Sequence, residues 1–177
     1  MSNGSPGDLG WATGGGSSHA LLGPIADLLR DVRELLKMDV AFVSRFVDQR
    51  RLFEVVSVSG DAGGGPVREG AGDPLLDTYC QAIVEGRLPP IIGDTSAHPE
   101  AMRLAITEQL GIRAYLAEPV RLPNGEVFGT VCCISHTVRP DLKQSDLDAL
   151  RAVAEAVAST VTKSGAIRTS PLRGEGA

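Results

Sequence analysis

The stretch LGIRAYLAEPVRLPNGEVFGTVCCISH, residues 110–136, decides the fold. Two β-rich apolar runs, Ala114–Leu122 and Glu126–Ser135, flank Pro123-Asn124-Gly125. Asn-Gly between such runs is a strong hairpin signal, because both residues tolerate the positive φ that a tight strand reversal needs. Side chains alternate across a strand, so the adjacent Cys132 and Cys133 face opposite sides of the sheet.

Upstream, His98-Pro99 opens a helix that runs to about Leu110 and is closed by Gly111. A short apolar strand, Pro90–Gly93, precedes Asp94-Thr95. Before it, LLDTYCQAIVEG (75–86) reads as a short helix ended by Gly86. The segment GDAGGGPVREGAGD (60–73) is too glycine-rich for regular structure. A second hairpin comes earlier, with strands Val40–Val47 and Leu52–Ser59 around a turn at residues 48–51. The first helix spans about Ser18–Lys37 and carries two apolar stripes, one through Leu21, Ile25, Leu28, Val32 and Leu35, the other through Leu22, Leu29 and Leu36. The last spans Ser145 to about Thr162, with Ser145 and Asp148 as a capping pair and Leu147, Leu150, Ala154, Val157 and Val161 as its stripe.

The order is helix, hairpin, helical crossover, hairpin, helix, and it predicts an α+β fold: a central antiparallel sheet, terminal helices on one face, and a lid of loops and short helices (residues 60–113) on the other. Residues 1–18 and 164–177, with the single Trp11, read as disordered tails around one domain at 19–163.

Composition narrows the function. A net charge of −5 without a Lys/Arg cluster speaks against nucleic acid. No apolar run approaches a membrane span, and the opening MSNGSPGDLG has no signal-peptide pattern, so a cytoplasmic protein is expected. Three cysteines cannot all pair, which fits reduced thiols. Neither they nor the separated His19, His98 and His136 have metal-ligand spacing, so no metal is expected.

The segments PLLDTYCQAIVEGRLPPIIGDTSAHPEA, LGIRAYLAEPVRLPNGEVFGTVCCISH and SDLDALRAVAEAVA resemble, in order and spacing, GAF domains of bacterial signalling proteins, over about residues 21–161. The resemblance implies a sensory or regulatory module, often dimeric through its terminal helices, and not an enzyme. It also implies that no cofactor is held. Bilin-binding members place histidines where Ile134 and Ser135 stand, and haem-binding members place one near Glu108 or Gln109. Free methionine sulfoxide reductases are GAF enzymes whose catalytic cysteine would fall within residues 81–113, where this sequence has none.

The candidate ligand-binding set is Tyr79, Cys80, Asp94, Thr95, Arg113, Tyr115, Cys133 and His136. Tyr79 and Tyr115 offer amphipathic pocket walls. Arg113 suits a ligand carboxylate or phosphate, or else an ion pair with Asp94 or Glu118. Asp94-Thr95 suits either a helix cap or ligand hydrogen bonds. His136 ends a strand, where pocket mouths lie. Cys80 is either a small buried hydrophobe or a redox-sensing thiolate. The expected partners are an unidentified small ligand between sheet and lid, a signalling partner, and a second copy of the chain across the helical stripes. A thiol-dependent enzyme and a purely structural dimerisation module are the alternatives.

Overall fold

The computed structural model describes residues 17–60 and 65–164, with side chains from Leu22 onward. Residues 1–16 and 165–177, the greater part of the two expected tails and Trp11 with them, lie outside the described residues, while Ser17 and Ser18 belong to the first helix and Ser164 to the last. Six strands form one antiparallel sheet in the order β3-β2-β1-β6-β5-β4, from β1 (Val40–Val47), β2 (Arg50–Val58), β3 (Gly72–Pro74), β4 (Ile91–Ile92), β5 (Ala114–Arg121) and β6 (Val127–Ser135). Helices α1 (Ser17–Leu35) and α5 (Gln144–Ser164) cover one face. The other carries the lid: a 3-10 turn at Leu75–Asp77, α2 (Tyr79–Val84), a 3-10 turn at Thr95–Ala97, α3 (Pro99–Arg103) and α4 (Ala105–Gln109). The expected α+β architecture is the one observed.

Local chemistry accounts for the departures. The first hairpin turns on two residues, Asp48 and Gln49, at φ 48° and 64°. Two successive positive φ values match the right-handed strand twist, so β2 begins at Arg50 and not after Arg51. The expected helix at 98–110 is two short helices, because Leu104 is extended. Thr78 caps α2 by accepting a hydrogen bond from the Gln81 backbone, which puts Cys80 in the first turn of its helix. At the start of α5 the reciprocal cap comes from Asp146, which accepts from the Lys143 backbone, and not from Ser145 with Asp148.

Two irregularities set which side chains face the lid. Glu54 is an extra residue between the pairs Val43–Val55 and Ser44–Phe53, so Phe53 faces the lid and Val55 the helices. Between Arg121–Val127 and Val120–Gly129, Phe128 is extra. Gly129 is required there, since a Cβ would lie 1.9 Å from the Ser44 carbonyl oxygen.

The helix face is aliphatic. Leu22, Ile25, Leu29 and Val32 of α1, Leu36 just after it, and Leu147, Leu150, Val153, Val157 and Val161 of α5 are buried there or beside it. Among the described side chains, which leave out Leu21, both stripes therefore pack largely within one chain, with Leu35 exposed at 70%.

Candidate functional site

The lid face holds a buried polar cluster. Arg51, Ser44, Cys80, Tyr115, Thr130 and Cys132 are each at most 1% exposed. Arg51 is the second residue of β2; Ser44 comes from β1, Thr130 and Cys132 from alternate positions of β6, Tyr115 from β5, and Cys80 from α2.

The Cys80 sulfur is the centre. The Thr130 hydroxyl donates to it at 3.0 Å, and the Arg51 Nη1–H approaches at 3.7 Å. The Tyr115 hydroxyl lies at 3.7 Å, the Cys132 sulfur at 3.8 Å and the Ser44 hydroxyl at 3.9 Å. The Cys132 thiol donates to Thr130 Oγ1 at 3.1 Å, so a directed chain runs from Cys132 through Thr130 to Cys80. Ser44 holds Thr130 by its hydroxyl at 2.8 Å.

Arg51 is the buried cation. Its guanidinium carbon stands 4.4 Å from the centroid of Phe53 and 5.4 Å from that of Phe42, and those rings meet edge to face at 4.9 Å. Nη2 pairs with Asp73 of β3, a carboxylate that is 39% exposed. Nε has no hydrogen-bond partner among the described residues. A buried guanidinium needs a counter-charge, and one half-exposed carboxylate is a partial answer. The Cys80 sulfur supplies the rest.

Ionisation follows from this geometry. Burial alone would push the Cys80 thiol up. The Cys132 hydrogen bond, the Arg51 charge and the Thr130 hydroxyl outweigh burial and hold it well below the ordinary thiol range. Cys132 moves the other way, raised by burial and then by its negative neighbour Cys80. The charge belongs on Cys80 because Arg51 contacts that sulfur. Burial lowers the Arg51 pKa, but Cys80, Tyr115 and Asp73 more than reverse this. Tyr115 is pushed well up by burial and by both sulfurs.

Of the residues proposed from sequence, Tyr79, Cys80 and Tyr115 meet here. The tyrosine rings are 4.7 Å apart, and the Tyr79 hydroxyl bonds Thr107. Cys133 does not join them. It faces the aliphatic side, where burial pushes its thiol up to about 12. The β6 bulge is the reason: continued without Phe128, the hairpin register would set Cys133 opposite Tyr115, whereas Ile134 stands there and Cys132 turns to the lid.

The other four lie apart from the cluster. Asp94 caps the turn at Thr95–Ala97 through Ser96, whose hydrogen bonds lower its pKa with help from Arg113. Thr95 is buried and donates to the Ile112 carbonyl at 2.9 Å. Arg113 is exposed, and its backbone joins Thr95 and Ser135. His136 is exposed, with Nδ1 3.0 Å from the Gly111 carbonyl oxygen. These residues frame the strand ends without converging on a ligand position. Arg51, Ser44, Thr130 and Cys132 were missed from sequence. A separate open groove of about 560 Å³ runs between β5 and α5, lined in part by Glu118, Pro119, Leu122, Arg151, Ala154 and Ala158. None of the proposed residues lines it. Among the described residues no helix is long and apolar enough to cross a membrane.

The sequence model for the GAF domain matches residues 24–161. The chain belongs to the GAF domain family. This GAF domain resembles solved structures across most of its length. The phycoerythrobilin-bound GAF domain from a cyanobacterial phytochrome matches with TM-score 0.64 at 17% identity, over 84% of this chain and 90% of that one. A far-red cyanobacteriochrome photoreceptor matches with TM-score 0.64 at 15% identity, over 81% and 86%. The GAF domain from an Acinetobacter phosphoenolpyruvate-protein phosphotransferase matches with TM-score 0.61 at 15% identity, over 87% and 98%. At these identities the likeness is one of fold. No curated protein sequence matches significantly.

Proposed function

We propose that this GAF domain is a non-enzymatic sensory module that takes a small anionic ligand at Arg51, between sheet and lid, and signals through its terminal helices to a second copy. The observation that carries this reading is the buried guanidinium, whose Nε is unpartnered and whose one carboxylate among the described residues is the half-exposed Asp73. A ligand carboxylate exchanging for Asp73 would reach Arg51 from the β3 edge, which is held to β2 by only three residue pairs. Phe42, Tyr79, Ile92 and Tyr115 fill the lid side, which supports a ligand smaller than the bilins of the phytochrome relatives. Both sulfurs of the cluster are buried, and this favours regulation over substrate turnover.

Calorimetric titration with a panel of small mono- and dicarboxylates tests the ligand. Asp73→Asn, which removes the competing carboxylate, tightens binding, and Arg51→Met abolishes it. No carboxylate binding to either the wild type or Asp73→Asn contradicts the reading.

The dimer proposal rests on a narrower strip than the sequence suggested. Val32 is buried within the chain, while Leu35 is exposed and Leu28 is half-buried, seven residues apart on one helix side. Sedimentation of Leu28→Glu with Leu35→Glu is the sharper test. The expected result is a dimer for wild type and a folded monomer for the variant; a monomeric wild type removes the second copy from the proposal.

A further inference from the structure

The geometry points to Cys80 and Cys132 as a redox pair that closes to a disulfide on exposure to a peroxide-class oxidant, altering the lid that covers them. The regulatory half of this inference rests on reading the lid-side cluster as the sensing site; the bond itself does not. The sulfurs are 3.8 Å apart, and the Thr130 hydroxyl is in hydrogen-bond contact with both. An S–S bond of ~2.05 Å requires the two side chains to rotate toward each other. One thiol is activated and the other is poised as its resolving partner, a division the cluster enforces by placing Arg51 on Cys80. Cys133 is excluded, since it lies on the opposite face of the same strand.

The chemistry balances with hydrogen peroxide as the oxidant. The Cys80 thiolate attacks one peroxide oxygen, the O–O bond breaks, and the departing hydroxide takes up a proton as water. Cys80 is then a sulfenic acid. The Cys132 sulfur attacks the Cys80 sulfur, the S–O bond breaks, and the hydroxide leaves with the Cys132 proton as a second water. Two thiols lose two electrons, and peroxide is reduced to two waters. Peroxide is small and uncharged, and the half-exposed Asp73, ion-paired with Arg51, is where the cluster meets solvent.

Closing the bond changes the electrostatics. The disulfide carries no charge, so Arg51 loses the sulfur as a counter-ion and keeps Asp73 alone. Asp73 is on β3, and Cys80 is on α2, so both elements are tied to the same ion group. Oxidation is expected to loosen or displace this β3–α2 edge, which is also the entry proposed for the carboxylate ligand.

The test uses the full chain, reduced and then treated with hydrogen peroxide. Intact mass is expected to fall by two hydrogens, and proteolytic mapping to link the Cys80 and Cys132 peptides. A thiol reductant reverses both. The Cys133→Ala variant forms the same link. Arg51→Met slows the reaction, because the sulfur loses the cation that favours its thiolate, and Arg51→Lys recovers part of the rate. Failure of wild type and Cys133→Ala to form the link overturns the proposal, as does a link that uses Cys133. Hydrogen exchange across residues 71–85 is expected to rise on oxidation. A mapped bridge with unchanged exchange overturns the switch, and the carboxylate titration then judges the sensing site separately.

Discussion

The two faces of the sheet are built from the same strands and differ in kind. The helix face is packed with Leu, Ile and Val, and its one thiol, Cys133, is neutral and inert. Its nearby cation, Arg33, is answered by Ser57 at 3.0 Å, by the Met38 carbonyl and by Glu34. The lid face places a guanidinium, two hydroxyl residues, a tyrosine and two thiols in its centre. Apolar side chains of similar volume would stabilise that position as well or better, because desolvating charges is costly. The contrast teaches that one face supplies stability and the other retains polar chemistry at the expense of it.

Removing one charge tests the contrast most severely. Arg51→Met leaves the Cys80 sulfur without its cation and is expected to destabilise by about 3–5 kcal/mol. Adding Cys80→Ala recovers a large part of that loss, because the pair is then removed together. Chemical denaturation of the two singles and the double measures the coupling. Additive losses would show that the two residues do not act as an ion pair.

On the aliphatic face the expected effect is a cavity and nothing else. Leu150→Ala, at a fully buried position of α5, is expected to cost about 2–5 kcal/mol. The thermal midpoint falls, while the rate of Cys80 alkylation in the native state is unchanged.

The faces also differ in the sign of their pH dependence. Cys133 is raised by burial from 9.0 to about 12. The unfolded chain loses this proton first, so the stability Cys133 contributes is full below pH 9 and is lost as pH rises toward 12. Each pH unit in that window removes up to about 1.4 kcal/mol, and Cys133→Ala flattens the alkaline slope. Cys80 is lowered, so its contribution is present above the ordinary thiol pKa and is lost as pH falls through its folded value. Denaturation midpoints across pH for Cys133→Ala and Cys80→Ala separate the two signs.

How far this was legible in the sequence depends on the element. The Asn124-Gly125 turn and the flanking apolar runs were enough for the second hairpin, and helical periodicity was enough for α1 and α5. The site was obscured by single-residue shifts. A four-residue turn at 48–51 takes Arg51 out of the strand; the observed turn on Asp48-Gln49 uses positive φ without glycine, so it carries little sequence signal. The Phe128 bulge reversed the parity of Cys132 and Cys133. Thr78 moved the start of α2 and put Cys80 in its first turn rather than deep within it. Register is a period-2 property, and one extra residue exchanges the faces. The Thr-x-x-Gln spacing from Thr78 to Gln81 is a readable cap signal; nothing in the local sequence marks the bulge beyond Gly129.

The central claim is an Arg51–Cys80 ion pair at the heart of the lid face. Ultraviolet titration of the native protein, following thiolate absorbance from acid to alkaline pH, tests it most directly. One sulfur per chain is expected to ionise well below the ordinary thiol range. That signal is abolished by Cys80→Ser, shifted to higher pH by Arg51→Met, and untouched by Cys133→Ala. Ionisation of every thiol at or above the ordinary value of about 8.5 would contradict it.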